Sequence, residues 1–386
     1  MKILHIISGG EKAGAAKGAL NLHKALKAQG VTSVVYPGSK VLQLINKIVF
    51  FINYKFKLLY LRCFGGQDRF LSLNTNVINI PMFGLSKFDI VHLHWFNYST
   101  DLKQIRRIAK KHTVVISMRD MWLLTGGCHY TLGCVQFEDG CKQCPLYQKS
   151  SKGEELRKEK EALMEEINII TISKWLDDLT DSVGTNYRKK FIYNTVDYSS
   201  FSELEGPKIL SLKRQYEIPT SKKIVLIGAI NLLSDYKGKD YISRFVEQHK
   251  HDCYFLFFGQ GASFFTEKMS GSIYKTFGYV EADVLNSLYN IADFFIMMSI
   301  QEAFGKTVIE SLLTRTPVIT LVGSSPQELI ELFDHPGSIA WDGISQVALP
   351  DYDKLMIPAE KYRERFSPEL LAREHIEYYK GLLQSN

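Results

Sequence analysis

The 386-residue sequence contains no unbroken apolar run of about 18 residues, which argues against a membrane-spanning helix. The best candidate, residues 41–64, is interrupted by Lys47, Lys55, Lys57 and Arg62. The apolar stretch at the amino terminus is too short for a signal peptide and runs directly into two glycines. The sequence therefore predicts a protein that stays in the cytosol.

Signatures of nucleic-acid binding are also missing, both the interleaved aromatics of RNA-binding domains and the spacing of zinc fingers. Charge is nevertheless uneven: the first 120 residues carry 18 Lys and Arg against 5 Asp and Glu, whereas residues 201–386 carry 19 against 24. A basic half beside an acidic half predicts two domains with different partners. The basic half suits an anionic bilayer surface or a phosphorylated substrate, and the missing signatures disfavour nucleic acid.

Residues 40–62 mix lysines with apolar and aromatic residues at helical spacing. One interpretation is a helix that lies in the interface of an anionic membrane as a peripheral anchor. The other is a core helix whose lysines extend their long side chains to solvent. The sequence leaves both open.

Short apolar runs alternate with helical patterns along the whole chain, which predicts parallel sheets covered by helices on both faces. In the first half we predict strands at 2–8, 31–36, 89–94, 113–117 and 168–172, and helices at 13–29 and 101–111. The pattern restarts with predicted strands at 222–228, 253–258, 273–277, 293–297 and 317–322.

Weak periodicity and turn residues between 194 and 219 mark the change of domain. The predicted fold class is therefore α/β, with two Rossmann-like doubly wound domains that face a central cleft, where such sheets bind ligands. We assign residues 1–195 to the first domain and 196–366 to the second. Residues 367–386 form a final helix that packs back toward the first domain.

The predicted strand at 293–297 leads into a loop that contains Glu302 and Gly305, and a helix begins near Lys306. Free N–H groups at a helix start bind a diphosphate without a metal ion, and glycine lets a ligand approach the backbone. Glu310 is placed to accept hydrogen bonds from ribose hydroxyls. Two glutamates at this spacing also occur by chance on surfaces, but the coincidence of strand, glycine and helix start favours a nucleotide site.

This segment resembles the E-x7-E motif of retaining glycosyltransferases of the GT-B fold, specifically family 4, with Glu302 and Glu310 as the two glutamates. The resemblance implies that Glu302 contacts hydroxyls of the donor sugar and that Glu310 holds the ribose. It also implies a diphosphate site on the backbone of Phe304, Gly305, Lys306 and Thr307. Lys237, in Tyr-Lys-Gly, resembles the family lysine that neutralises the donor diphosphate.

Other segments resemble the same family. In the second domain they are the G-x-G at Gly259 and Gly261 and the nucleobase segment from Gly278 to Val280. In the first domain the N-terminal glycine loop runs from Ser8 to Ala16 and contains Gly9, Gly10, Gly14 and Ala15. The linker motif runs from Asn194 to Asp197. The resemblance implies that Gly14, Ala15, Gly259 and Val280 help to bind the donor. It also implies that residues 1–195 form an acceptor-binding domain and residues 196–366 a nucleotide-sugar-binding domain.

Three positions depart from the family pattern. Arg119 stands where the family often has a histidine that touches the donor sugar, and a guanidinium can still bind a sugar hydroxyl or a phosphate. We therefore group Arg119 with Glu302 and Lys237 as candidate catalytic residues. Ala229 replaces a usual arginine or lysine, and Arg315 replaces a common glycine in what we interpret as a surface change.

The resemblance implies transfer of a hexose from a nucleoside diphosphate sugar, with UDP slightly favoured over GDP. The leaving diphosphate would be stabilised by Lys237, Arg119 and helix N-termini. No catalytic metal is expected, and the sequence has no D-x-D motif in a suitable loop. The expected acceptor is a glycan or lipid-linked glycan of bacterial surface polysaccharide synthesis, such as lipopolysaccharide, at the cytoplasmic face of the membrane. A nucleotide-sugar epimerase of the same fold and a sugar-nucleotide-binding protein without turnover remain alternatives.

Candidate acceptor-binding residues are His94, Trp95 and Asp120, which lie at or just after the carboxyl ends of predicted strands. His92 and His94 point the same way because they are two apart in a strand. The plain alternatives are a packed core histidine for His94 and, for Asp120, a cap or an ion pair with Arg119.

Four of the six cysteines, Cys128, Cys134, Cys141 and Cys144, fall in a glycine-containing loop at 126–145. Four thiolates so close together predict a tetrahedral structural zinc site. Two disulfides, which a reducing cytosol disfavours, and buried free thiols are the alternatives. A subset of the resembling family carries the same loop, which fits its position after Trp122.

Overall fold

The structure is a computed structural model that describes residues 1–8, 14–63, 71–74, 76–82, 84–147, 150–184, 186–196, 198–267, 269, 271–334 and 337–385. Gly9 and Gly10 of the predicted glycine loop and Asp197 of the predicted linker motif lie outside these residues. The chain divides into two compact units, one of Met1–Thr195 with Pro368–Asn386 and one of Val196–Ser367. No helix within the described ranges has the length and apolar character needed to cross a bilayer.

The first unit is built on a sheet of six parallel strands in the order β2-β1-β3-β4-β5-β6. These are β1 (Lys2–Ile6), β2 (Thr32–Tyr36), β3 (Ile90–Leu93), β4 (Thr113–Met118), β5 (Asn168–Thr171) and β6 (Arg188–Phe191). The side chains of β3 and β5 are buried throughout, as expected when helices cover both faces of a parallel sheet. The sequence did not predict β6, because three of its four residues are basic and it lies at the sheet edge.

The helices that connect these strands are α1 (Gly14–Ala28), α2 (Lys40–Cys63), α3 (Leu102–Ala109), α4 (Lys152–Glu166) and α5 (Lys174–Val183). Asp101 fixes the start of α3 by accepting a hydrogen bond from the backbone of Gln104 at 2.6 Å, and Ser173 does the same for α5. The interpretation of α2 as an ordinary core helix is wrong, because seven of its large apolar side chains are exposed.

The second unit has its own sheet of six parallel strands in the order β12-β11-β10-β7-β8-β9. The strands are β7 (Lys223–Asn231), β8 (Cys253–Gln260), β9 (Tyr274–Thr276), β10 (Phe294–Met297), β11 (Val318–Leu321) and β12 (Ile339–Trp341). Its helices are α6 (Gly206–Gln215), α7 (Lys239–His249), α8 (Ala262–Thr266), α9 (Ala282–Ile291), α10 (Lys306–Leu313), α11 (Ser325–Glu331) and α12 (Ala359–Arg365). The predicted α/β class with two doubly wound parallel sheets is confirmed.

The last helix, α13 (Pro368–Gln384), belongs to the first unit and packs against α1. Its Tyr379 hydroxyl lies 2.7 Å from the Nδ1 atom of His92 in β3, so a buried polar contact joins the end of the chain to the first sheet.

The interpretation of Arg315 as a surface change is wrong. Its side chain is only 13% exposed and forms ion pairs with Glu203 at 3.0 Å and Glu360 at 2.6 Å. The guanidinium also donates to the carbonyl of Ile357 at 2.5 Å. The backbone of Arg315 is left-handed (φ 57°), a conformation that favours glycine, so these contacts compensate for an unfavourable backbone.

Candidate functional site

The loop after β10 ends at Gly305, which precedes α10 and has a left-handed backbone (φ 80°). The N–H of Val308 donates to the carbonyl of Gly305 at 2.9 Å. The N–H groups of Lys306 and Thr307 have no acceptor in the described part of the chain, as is usual for the first turn of a helix. The start of α10 therefore offers two donors and the positive end of a helix dipole.

Lys237 and Glu302 form an ion pair in the second unit, with 2.7 Å between Nζ and Oε2. Their side chains are 17% and 18% exposed, so the pair is largely shielded from water. Lys237 also donates to the Ser299 hydroxyl at 3.3 Å, and its ammonium lies 4.9 Å from the centre of the Tyr236 ring. Because a lysine has three N–H donors, one remains for a further acceptor.

Backbone geometry brings these two residues together across 65 positions of sequence. The N–H of Ile300 donates to the carbonyl of Tyr236 at 2.8 Å, which fixes the loop after β10 against the short 3-10 helix 235–237. Gly238 follows with a left-handed backbone (φ 66°), and a Cβ at this position would lie 1.9 Å from the carbonyl oxygen of Met298. Only glycine fits this approach.

Burial alone would lower the pKa of Lys237, but the Glu302 carboxylate outweighs it and raises the pKa above its usual value. Lys237 is therefore fully cationic at neutral pH in a poorly hydrated position. A fixed cation of this kind attracts a multiply charged anion strongly.

Glu310 lies one turn and a half into α10 and is 5% exposed. Its carboxylate is 3.4 Å from Lys306 Nζ. Tyr289 packs beside it, and burial together with the charge of Glu310 raises the pKa of Tyr289 well above its usual value. Lys306 and Thr307 are half-buried, whereas the side chain of Phe304 is buried against Phe366.

Gly259 ends the buried part of β8, and its N–H donates to the carbonyl of Gly278 at 2.5 Å. A Cβ at Gly259 would lie 1.6 Å from the carbonyl oxygen of Ala229, so this residue type is dictated by close backbone packing. Val280 is half-buried two residues beyond Gly278. Gly259, which the family resemblance singled out, therefore has a structural reason of its own.

In the first unit, the Arg119 guanidinium is held by two residues. One amino group donates to the side-chain oxygen of Asn194, and the other donates to Nδ1 of His94 at 3.0 Å. Burial lowers the pKa of Arg119 to about 10, so it remains a cation at neutral pH. Gly18 makes room for this group, because a Cβ there would lie 2.6 Å from the guanidinium.

The buried rings of His5, His92 and His94 form a cluster, with 4.0 Å between the ring centres of His92 and His94. The prediction that His92 and His94 point the same way is confirmed. Because Arg119 only donates, Nδ1 of His94 must accept, and Nε2 of His94 donates to Nδ1 of His5 at 2.9 Å. Burial lowers the pKa of His5 to about 3 and that of His375 nearby to about 4, so the rings are neutral.

Asp120 has different partners from those expected. It accepts from the backbone N–H of Trp122 at 2.8 Å and pairs with Nδ1 of His129 at 2.6 Å, rather than with Arg119. His129 was missed because its contact with Asp120 depends on the fold of the cysteine loop. Trp95 is half-buried, with its ring 5.9 Å from that of His129. Gly14, which is exposed, and Ala15, which is half-buried, open α1.

The four loop cysteines are free thiols, and Cys141 accepts a hydrogen bond from the N–H of Gly126 at 3.0 Å. Within the described ranges, three or more possible ligand atoms approach within 4.8 Å of one another only at His5, His92 and His94 and at Asp177, Asp178 and Asp181. No three of the cysteine sulfurs in the described part of the chain lie within 4.8 Å of one another. Burial raises the pKa of Cys128 to about 12. The zinc site stays a prediction.

Comparison with known proteins finds a family match in the second unit and a relative that covers most of the chain. Residues 210–368 match the family described as Glycosyl transferases group 1. An uncharacterized glycosyltransferase of Methanocaldococcus jannaschii is 25% identical over 333 residues, which cover 78% of this chain and 77% of the relative.

Two solved structures share the fold of the chain. A glycosyltransferase from Rickettsia africae superposes with a TM-score of 0.63 at 18% identity and covers 100% of this chain and 99% of its own. Anabaena HepE in complex with UDP and glucose also has a TM-score of 0.63, at 15% identity, and covers 98% of this chain and 99% of its own. The chain therefore has the two-domain α/β fold of GT-B glycosyltransferases, and residues 210–368 resemble the Glycosyl transferases group 1 family.

Proposed function

We propose that the protein is a retaining, metal-independent glycosyltransferase that moves a hexose from a nucleoside diphosphate sugar to a glycan or lipid-linked glycan. The observation that carries the proposal is the shielded ion pair of Lys237 and Glu302 in the same unit as the donor-rich start of α10. Breaking the bond between sugar and diphosphate places negative charge on the leaving group, and fixed donors stabilise that charge without reorganising.

Each residue of this set has a role in the proposal. Lys237 donates its remaining N–H to the diphosphate, and the backbone N–H groups of Lys306 and Thr307 bind phosphate oxygens. Glu302 accepts hydrogen bonds from hydroxyls of the donor sugar. Glu310 accepts hydrogen bonds from the ribose, for which its buried carboxylate is already oriented by Lys306.

The complex of Anabaena HepE with UDP and glucose favours a UDP-sugar as donor for this fold. The family resemblance supports the remaining parts of the proposal, which are retention of configuration, a hexose donor and bacterial surface polysaccharide synthesis. In the first unit, Arg119 would orient His94, since its contacts to His94 and Asn194 are internal. Binding of the acceptor by His94, Trp95 and Asp120 stays a prediction.

A thermal-shift titration with UDP-glucose, UDP, GDP-mannose and GDP tests the proposal. A nucleotide present at 100 times its Kd stabilises the native state by about 2.7 kcal/mol, which raises the Tm by roughly 5–10 °C. Donor hydrolysis without acceptor then measures turnover. We expect binding and slow hydrolysis in the native protein, and loss of most hydrolysis in Glu302→Gln with the fold intact.

The matched control is Asp351→Asn, which removes the 2.8 Å ion pair of Lys223 and Asp351 elsewhere in the second unit. It should bind and hydrolyse the donor as the native protein does. Release of an isomerised sugar nucleotide would identify an epimerase. Tight binding without turnover would identify a passive binder, and failure to bind any of the four nucleotides would contradict the donor site.

A further inference from the structure

Helix α2 exposes a row of large apolar side chains on the surface of the first unit. Its exposed large apolar residues, which we call the apolar stripe, have exposures between 37% and 68% and are Val41, Leu44, Ile48, Phe51, Ile52, Phe56 and Leu59. They recur every three or four residues, so they lie on one side of the helix. An unbroken apolar row of this length on a protein surface marks a site of interaction.

The opposite side of α2 is buried, carries polar as well as apolar side chains, and is held by hydrogen bonds. The side-chain amide of Asn53 donates to the carbonyls of Ile78 and Tyr98, each at 2.7 Å. Asn46 accepts from the hydroxyl of Ser99 at 2.6 Å. Rotating the apolar stripe inward would break these buried hydrogen bonds, so the structure fixes the stripe toward the outside.

The charge of α2 indicates what covers the stripe. The 24-residue helix contains no Asp or Glu, and Lys40, Lys47, Lys55 and Arg62 are exposed on it. The ammonium of Lys55 lies 5.3 Å from the ring centre of Phe51, among the stripe residues. Apolar and aromatic side chains with cations and no carboxylates match the interface of an anionic bilayer, where acyl chains lie below phosphate headgroups.

We propose that α2 lies in the interface of an anionic membrane, with the apolar stripe inserted among the upper acyl carbons and the exposed cations on lipid phosphates. The helix would bind as a peripheral anchor on the membrane surface. This inference does not depend on transferase activity, because membrane binding is measured without donor or acceptor.

Flotation with vesicles tests the proposal. The protein is mixed with vesicles of phosphatidylcholine alone, or with vesicles that also contain the anionic lipid phosphatidylglycerol, and is then separated on a density gradient. We expect flotation with the anionic vesicles, a fall in binding as salt rises, and little flotation with phosphatidylcholine alone.

Two variants separate insertion from charge. Ile48→Glu with Phe51→Glu places carboxylates in the centre of the stripe and should weaken vesicle binding roughly tenfold or more. The matched control, Ile344→Glu with Leu355→Glu, changes two exposed apolar residues of the second unit and should bind as the native protein does. Circular dichroism and the Tm of both variants verify that they are folded.

The proposal is overturned if the native protein fails to float with anionic vesicles at low salt. It is also overturned if the Ile48→Glu, Phe51→Glu variant floats as well as the control. Light scattering tests the main alternative, in which the stripe binds a second copy of this chain. That alternative would be supported if the native protein formed an oligomer, the stripe variant did not, and neither bound vesicles.

Discussion

The ion pair of Lys237 and Glu302 permits a quantitative test, because its two residues should act as one unit. We consider Lys237→Met and Glu302→Gln, which keep the side-chain length and remove one charge each. At 2.7 Å, the attraction between the charges is roughly 6 kcal/mol for an effective dielectric constant of 20. Desolvation offsets much of this, and a net coupling of about 1–3 kcal/mol in the free energy of unfolding remains.

The same pairing sets the expectation for activity. Each single variant removes one partner and leaves the other misplaced, so each should lower kcat/KM for donor hydrolysis by roughly 10²–10³. If the two side chains act as a unit, the double variant should lose no more than the worse single variant. If the two groups acted independently, the losses of the single variants would multiply, and the double variant would lose roughly 10⁴–10⁶ in kcat/KM.

The assay is a double-mutant cycle on the four proteins, with urea unfolding for stability and nucleoside diphosphate release for turnover. Asp351→Asn, which removes an exposed ion pair of the same unit, shows what loss of an ordinary surface pair costs, about 0–1 kcal/mol. Additive losses in both stability and turnover would refute the inference that Lys237 and Glu302 work together.

Three further expectations follow from the packing. Gly238→Ala should destabilise the second unit by about 1–3 kcal/mol, because residue 238 has a left-handed backbone and its new Cβ would lie 1.9 Å from the carbonyl oxygen of Met298. Urea unfolding measures this loss, and native-like stability would contradict it. Gly18→Ala should lower the Tm, because the added methyl group would displace the Arg119 guanidinium. Alanine is favoured over glycine in helices by about 1 kcal/mol, so an increase in Tm would disprove the contact. Stability should fall as the pH drops from 6.5 toward 3, because burial holds the pKa of His5 at about 3 in the folded protein. Between these pH values only the unfolded chain binds a proton at His5, which lowers the free energy of unfolding by about 2 kcal/mol at pH 5. Unfolding at pH 7.5 and pH 5 tests this, and a His5→Gln variant with an unchanged pH dependence would exclude His5 as a cause.

Most strands, the loop after β10 and the residues of the E-x7-E motif were predictable because they depend on local patterns. An apolar run, a glycine and a helix start lie close together around Gly305. β6 and β12 escaped prediction, because β6 is mostly basic and the isolated three-residue apolar pattern of β12 is not distinctive.

Contacts between distant residues were not predictable, because they depend on strand order and loop paths. Arg119 meets Asn194 across 75 positions, and His92 meets Tyr379 across 287. The periodicity of α2 predicted an apolar row but not which side faces outward. That orientation is fixed by the hydrogen bonds of Asn53, which no local pattern reveals.

The most direct test of the proposed donor site compares the affinities of uridine, UMP and UDP for the native protein and for Lys237→Met by isothermal titration calorimetry. The site described here predicts that each phosphate strengthens binding to the native protein, with the largest gain at the second. In Lys237→Met, the gain from the second phosphate should shrink by roughly tenfold or more while the affinity for uridine stays the same. Equal affinities of the native protein for uridine and UDP, or an unchanged preference for UDP in the variant, would contradict the account.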